Sequence, residues 1–377
     1  MHLSKLLPGN RICLVSWIDK NDLRAKKLAD AILLNAIIED ISKMGYTCSY
    51  FYNGEFGHID LLMKLFWKFK KKKTENSVIK QHVILSSVFN LFISFYSLLS
   101  FGFKNDVKEK LGAFDAIIVL GPSLLAPIYN VFKGKKYLLL YELNIEFILY
   151  NFNAGPKWRY VNRVISALIK KMETRSIQLS NVIMTISPRD CSTLKMLYSS
   201  KEIFYYYPFF NREVSTVVKR PLKVVDSKRN RKIALNIKDT VIGFIGSCSI
   251  VNCKALLGII SIVRAVNLSN LIFLVSGNIS NCFCARNLPD GIIFTGFIEN
   301  LDVLMPTCDA FILFDVQPTG IEGKVQSYKV YNKPVLLISD ESVSNYSQFL
   351  GSQGLRLKNT EEAVIYIRNM VKKKLDA

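Results

Sequence analysis

Histidine is nearly missing from this chain: His2, His58 and His82 are the only three among 377 residues. Three isolated imidazoles cannot build a histidine-based metal cluster. The eight cysteines contain no Cys-x-x-Cys pair, which excludes zinc-finger and thioredoxin-type chemistry. We read them as reduced, structural thiols of a cytosolic protein. Cys282 and Cys284 lie close together, yet no second pair stands at zinc spacing. Asp-x-Asp is also absent. No period of about 20 to 50 residues recurs, which sets aside solenoids. A secretory leader is not expected, because the charged segment Asp19 to Lys27 precedes any long apolar run.

Acid is scarce relative to base, and unevenly so. The net charge of +20 divides into +13 over residues 1–210 (29 basic, 16 acidic), +6 over 211–240 (9 against 3) and +1 over 241–377 (12 against 11). The positive field belongs to the N-terminal half and the stretch after it. Such a field favours an anionic lipid surface, a nucleic acid or a phosphorylated substrate. Near an anionic membrane each basic side chain contributes about 1 kcal/mol. No recognition helix, finger or stacking-aromatic sheet motif supports nucleic acid, so none is expected as a partner.

Half of the residues are hydrophobic, and the length suggests two domains, each with a full core. Short apolar runs alternate with helical stretches. Arg11 to Trp17, Tyr46 to Tyr52, Asp115 to Gly121, Lys136 to Tyr141 and Asn181 to Ser187 read as buried strands. Asn21 to Met44 reads as a helix that Gly45 ends. The alternation restarts with strands at Val241 to Gly246, Asn270 to Gly277, Gly291 to Gly296, Asp309 to Asp315 and Lys333 to Ser339. Continuous apolar strands separated by helices predict parallel sheets covered on both faces. Two such α/β domains in succession place a cleft at the carboxyl ends of their strands. Between them, Asn211 to Thr240 is basic, contains Pro221 and lacks an apolar period, as expected of a connector. Tyr205 to Phe210 reads as a strand and an aromatic plug. Glu361 to Lys374 reads as an amphipathic helix.

Gln81 to Phe103 contains no charged residue and is long enough to span a bilayer. It reads as a buried helix or as one lying in a membrane interface. Ser87, Asn90, Ser94, Ser97 and Ser100 line one helical face with polar groups, which argues against a span. The lysine run within Lys68 to Lys73 suits anionic headgroups, or simply a solvated helix end.

Asp309 to Ser339 carries the chemistry. A strand ends at Asp315, a turn bearing proline and glycine follows over Gln317 to Gly320, and a helix should start near Glu322. Lys324 falls in its first turn. A glycine-bearing turn entering a helix presents free N–H groups to an anion. Lys324 adds a full charge at the same place, making a pyrophosphate seat without a metal. The bland alternative is an ordinary strand–helix turn with a surface lysine.

The spacing in this region resembles glycosyltransferase family 4, the large group-1 family with the GT-B fold. The residues that carry the resemblance are Pro318-Thr319-Gly320-Ile321-Glu322-Gly323-Lys324, then Ser327, then Asn332-Lys333-Pro334-Val335. Phe244-Ile245-Gly246-Ser247 with Asn252 and Lys254 is similar to the family's first C-domain loop. Leu274 to Gly277 and Ile293 to Phe297 are similar to the strands that follow. Glu173 with Asn181 to Ser187 resembles the end of its first domain.

The resemblance implies an α/β, GT-B-like architecture: two Rossmann-type parallel-sheet domains facing each other across a cleft. It implies an acceptor-binding domain over 1–210, a basic connector over 211–240 and a nucleotide-sugar-binding domain over 241–358. A C-terminal helix over 359–377 is expected to cross back to the first domain. It further implies sugar transfer from a nucleotide sugar, UDP- or GDP-linked, which is substrate rather than cofactor. The implied donor-binding residues are Gly246, Ser247, Lys254, Gly277, Thr319, Gly320, Glu322, Lys324 and Ser327. Basic groups at the leaving diphosphate stabilise the charge that develops there, and no metal is called for. The acceptor would be a lipid-linked or polysaccharide glycan on an anionic membrane, with the protein peripheral on the inner face of the cell membrane. Ser327 stands where the family has a glutamate that holds the donor ribose, and a hydroxyl makes a weaker bond there; Glu322 is the candidate to compensate. The loop Ser16 to Lys20 lacks the family's glycines. Tyr141 and Glu142 stand where it has a histidine, which makes Glu142 the candidate catalytic carboxylate, with helix capping as the structural alternative. A non-catalytic member of the same fold and a sugar-nucleotide epimerase are the competing readings. The second lacks histidines for its cleft.

Overall fold

The computed structural model describes residues 7–16, 29–52, 105–153, 159–208, 222–247, 249–283, 288–298, 301–316, 319–339 and 345–376. The readings made for Gln81 to Phe103, Lys68 to Lys73, Trp17 to Lys20 and Cys284 lie outside the described residues. The chain divides into two units. The first comprises Met1–Phe209 together with Pro318–Ile321, the second Phe210–Gln317 and Glu322–Ala377.

In the first unit the described elements run β1 (Arg11–Ser16), α1 (Ala29–Lys43), β2 (Thr47–Tyr52), α2 (Asn105–Gly112), β3 (Ala116–Leu120), α3 (Leu125–Phe132) and β4 (Tyr137–Glu142). They continue through α4 (Glu146–Asn153), α5 (Arg159–Leu179), β5 (Val182–Thr185), α6 (Pro188–Leu197) and β6 (Glu202–Tyr205). The strands form one parallel sheet in the order β2-β1-β3-β4-β5-β6. Period-two geometry explains why these strands read as unbroken apolar runs. Ile12 and Leu14 of β1 enter one apolar cluster with Ile118 and Leu139. Cys13 and Val15 enter the cluster on the other face with Ile117, Val119 and Leu138. Both faces are covered, so neither residue set is polar. Tyr206 of the aromatic run is held on two sides: Tyr141 Oη donates to its carbonyl at 2.9 Å, and its own Oη donates to Asp40 at 3.0 Å.

The second unit begins with an antiparallel hairpin, β7 (Leu222–Asp226) and β8 (Arg231–Leu235). Then come β9 (Thr240–Ile245), α7 (Ile250–Val266), β10 (Leu271–Ser276), β11 (Ile292–Gly296), β12 (Ala310–Phe314), α8 (Lys324–Val330), β13 (Val335–Ile338), α9 (Asn345–Leu350), β14 (Gly354–Leu357) and α10 (Thr360–Asp376). Six strands form a parallel sheet in the order β11-β10-β9-β12-β13-β14. This is the doubly wound order whose direction reverses between β9 and β12, where such sheets open a crevice for ligands.

Within the basic 211–240 segment, residues 222–235 form the hairpin of the second unit. Their apolar period is weak because one inward position of β7 is Asp226, which is fully buried. Arg229 Nη1 pairs with Asp226 at 3.0 Å and donates to the Ile292 carbonyl, while Nη2 donates to the carbonyls of Leu288 and Pro289. The hairpin is thus pinned to β11. Removing one partner of a buried pair strands the other charge, so Arg229→Ala should cost about 3 kcal/mol, read as a lower midpoint in urea with unchanged slope. In α10, Ala363, Ile367 and Val371 belong to the core of the second unit, and Lys374 Nζ pairs with Asp309 at 2.5 Å.

Candidate anion-binding site

Three loops at the carboxyl ends of β9, β10 and β12 build the site in the second unit. The first leaves β9 at Gly246 and Ser247 and enters α7, whose N-cap Ser249 accepts the Asn252 N–H at 3.2 Å. The Asn252 side chain folds back onto the loop, donating through Nδ2 to the carbonyl and hydroxyl of Ser247, both at 3.2 Å. That leaves Asn252 Oδ1 to accept from Lys324 Nζ at 2.6 Å. Two stretches 72 positions apart meet through this bond.

Gly277, after β10, has φ +102° and lies against the Gly246 carbonyl, which a Cβ at position 277 would meet at 2.3 Å. Only glycine fits there. The two loops can therefore close on each other, with Gly246 N–H donating to the Ser276 carbonyl and Ile279 N–H to the Gly246 carbonyl.

Lys324 opens α8 and so falls in its first turn; the helix starts two residues later than the sequence suggests, with Gly323 at the N-cap. Seven residues make a short helix with a weak dipole, so the full charge of Lys324 dominates. Tyr328 fixes its placement: its hydroxyl accepts the Ile245 N–H at 2.9 Å and its ring stacks on Phe311 at 4.5 Å. The Lys324 side chain is 6% exposed, 2.6 Å from Glu322 Oε2 and 4.3 Å from the centroid of the Phe244 ring. It is no surface lysine. Burial lowers its proton affinity and the Glu322 carboxylate works against that. Glu322 Oε1 has no hydrogen-bond partner among the described residues, so one oxygen of the pair is unsatisfied.

The other expected residues fall in several places. Gly246 and Thr319 are buried, Ser247 and Lys254 are exposed, and Ser327 is half-buried on α8. Asn252, rather than Lys254, is the α7 residue that touches Lys324. Both stood in the same motif, and only the direction of each side chain off the helix separates them.

The first unit holds a second group of functional side chains. Glu142, at the end of β4, is 1% exposed. Neither of its oxygens has a partner among the described residues. Burial, then the neighbouring Glu173, Glu146 and Asp190, push its proton affinity well above the usual carboxyl range. The helix-capping alternative goes instead to Glu173, whose Oε1 accepts the Glu146 N–H at the start of α4 at 2.9 Å. Burial raises Glu173 to about 8 against that bond. Asp190, in the first turn of α6, was not singled out in the sequence. Its Oδ2 accepts the Gly320 N–H at 2.7 Å, inside the first unit as the chain divides. No local signal marks a bond across 130 positions.

No family model matches the sequence, and no curated protein matches it. Solved structures do match in fold. HepE from Anabaena, in complex with UDP and glucose, has a TM-score of 0.52 at 12% identity, covering 97% of this chain and 91% of its own. A TarM variant from S. aureus, in complex with fondaparinux, alpha-GlcNAc-glycerol and UDP, has a TM-score of 0.50 at 11% identity, covering 72% of this chain. The match spans about half (51%) of the TarM chain. With two six-stranded parallel sheets, the chain has the GT-B fold, the two-Rossmann architecture of nucleotide-sugar glycosyltransferases.

Proposed function

We propose that this chain is a metal-independent glycosyltransferase of the hexosyl type, using a UDP- or GDP-linked donor. The observation that carries the reading is the buried Lys324 ammonium, bonded to Asn252 where the order of the second sheet reverses. A buried cation beside glycine loops suits a diphosphate. As the bond from the anomeric carbon to the diphosphate oxygen breaks, its electron pair goes to that oxygen, and Lys324 neutralises the charge. Gly246, Ser247 and Gly277 let backbone approach the nucleotide. Lys254 adds a second cation and Ser327 offers a hydroxyl to the ribose, while the Gly320 N–H is given to Asp190. Glu142 is the proposed base. Burial beside Glu173, Glu146 and Asp190 favours its protonated form, so only its deprotonated fraction takes the proton of the acceptor hydroxyl as that oxygen bonds to the anomeric carbon.

The acceptor is proposed to be a lipid-linked or polysaccharide glycan at an anionic membrane surface. Tyr160 and Val164, one turn apart on α5, are 80% and 60% exposed, with Arg163, Lys170 and Lys171 also exposed on that helix. Among the described residues no helix is long and apolar enough to cross a membrane. Vesicles with anionic lipid should pellet the protein and neutral vesicles should not.

A thermal-shift panel of UDP, GDP, CDP and ADP with their common sugars tests the donor assignment. Ligand at 100 times its Kd stabilises by about 2.7 kcal/mol, and EDTA should leave the response unchanged. A flat panel on folded protein removes the proposal. A second reading, a non-catalytic member that binds nucleotide without turnover, is favoured by Ser327 at the ribose position and by the engagement of Glu322 with Lys324. Sugar transfer or donor hydrolysis would remove that alternative.

A further inference from the structure

Asn252, in the first turn of α7, is 7% exposed, and its side-chain amide is bonded at both ends. Nδ2 donates to the Ser247 carbonyl and to Ser247 Oγ, both at 3.2 Å, while Oδ1 accepts from Lys324 Nζ at 2.6 Å. Its backbone N–H is held as well, by the Ser249 hydroxyl at 3.2 Å. A carbonyl only accepts and an ammonium only donates. The amide therefore fits one way round, and a carboxylate in its place has nothing to give Ser247.

Lys324 brings three N–H donors to this junction. Glu322 Oε2 takes one at 2.6 Å and Asn252 another, with the Phe244 ring centroid 4.3 Å away. The Glu322 carboxylate bonds to Lys324 alone, its other oxygen having no partner among the described residues. Asn252 differs in that it links the cation, through Ser247, to the loop after β9. All of these residues belong to the second unit.

We propose that Asn252 is a positioning residue of the donor site: it fixes the Lys324 ammonium to the loop after β9, where the distal phosphate of a nucleoside diphosphate meets it. The inference rests on the donor-site reading above. Without the amide, the ammonium keeps only its Glu322 partner, and a phosphate has to draw it from that carboxylate. The distal phosphate feels the loss, because its oxygen is where charge collects as the sugar leaves. The nucleoside and the first phosphate do not.

The test is calorimetric titration of wild type and Asn252→Ala with UDP and GDP, and with UMP and GMP, which lack the distal phosphate. For the diphosphate that wild type prefers, Kd should rise about tenfold in the variant, the size of one hydrogen bond to a charged group. Kd for the matching monophosphate should stay within about twofold. Asn252→Asp, which keeps the side-chain volume and an acceptor for Lys324, secures the test against misfolding of the alanine variant. It too should lose the diphosphate more than the monophosphate. A folded variant that binds the diphosphate as tightly as wild type, or that loses both ligands in the same proportion, overturns the inference and leaves the donor site standing. Failure of wild type to bind either diphosphate overturns the donor-site reading and the inference with it.

Discussion

Lys324→Ala is expected to abolish the nucleotide-induced rise in Tm and, without ligand, to destabilise the protein by about 3 kcal/mol. Both effects follow from one geometry. The Lys324 and Glu322 side chains are 6% and 9% exposed and 2.6 Å apart. Removing the ammonium strands a buried carboxylate that already has one unsatisfied oxygen. Breaking a buried pair from one side typically costs about 3–5 kcal/mol, whereas replacing both partners is often neutral. The single variant therefore confounds binding with folding. Glu322→Gln with Lys324→Met separates them: most of the lost Tm should return, but the nucleotide response should not. If the double variant regains both, Lys324 is only a structural cation. If the single variant keeps the wild-type Tm, the pair is not buried in solution.

The second large effect is a dependence of stability on pH that runs opposite to the usual acid denaturation. Glu142, Glu173 and Asp190 all have folded proton affinities above their unfolded values. The native state therefore holds protons that the unfolded chain releases. Stability from these groups is full below the unfolded carboxyl range and is lost as pH rises through the folded values, about 6 for Asp190 and about 8 for Glu173, with Glu142 also raised. Each such group contributes about 1.4 kcal/mol per pH unit while the two states differ by one proton. Urea midpoints should fall between pH 6 and pH 8. Glu142→Gln should flatten the fall and raise stability at pH 8, since it removes a buried carboxyl that must take up a proton for the chain to fold. The same variant should lose sugar transfer if Glu142 takes the acceptor proton. A midpoint constant from pH 6 to 8 would show that the cluster is hydrated or paired in solution.

Much of the architecture was legible in the sequence. Unbroken apolar runs such as Ala116–Leu120 and Ala310–Phe314 read as strands buried on both faces, which they are, and helices between them favour parallel pairing. The short edge strands Glu202–Tyr205 and Gly354–Leu357 carried weaker signals, because each pairs with one neighbour and keeps exposed positions. The hairpin at Leu222–Leu235 was hidden by a buried aspartate in an apolar slot, whose charge is balanced by an arginine three residues on.

For the site, sequence alone determined the chemistry on offer: a glycine-bearing turn, a lysine just beyond it and a second glycine loop upstream, in an order and spacing with little other use. Local periodicity and turn residues record such features because they arise from the backbone within a few residues. Tertiary structure alone decided the partners. It put Asn252 instead of Lys254 on Lys324 and turned Glu322 toward the lysine. It also gathered Glu142 and Glu173 in one buried group and set Asp190 on Gly320. Those outcomes depend on which way a side chain leaves its helix and on which strands lie adjacent. Contacts 72 and 130 positions apart leave no periodic trace along the chain.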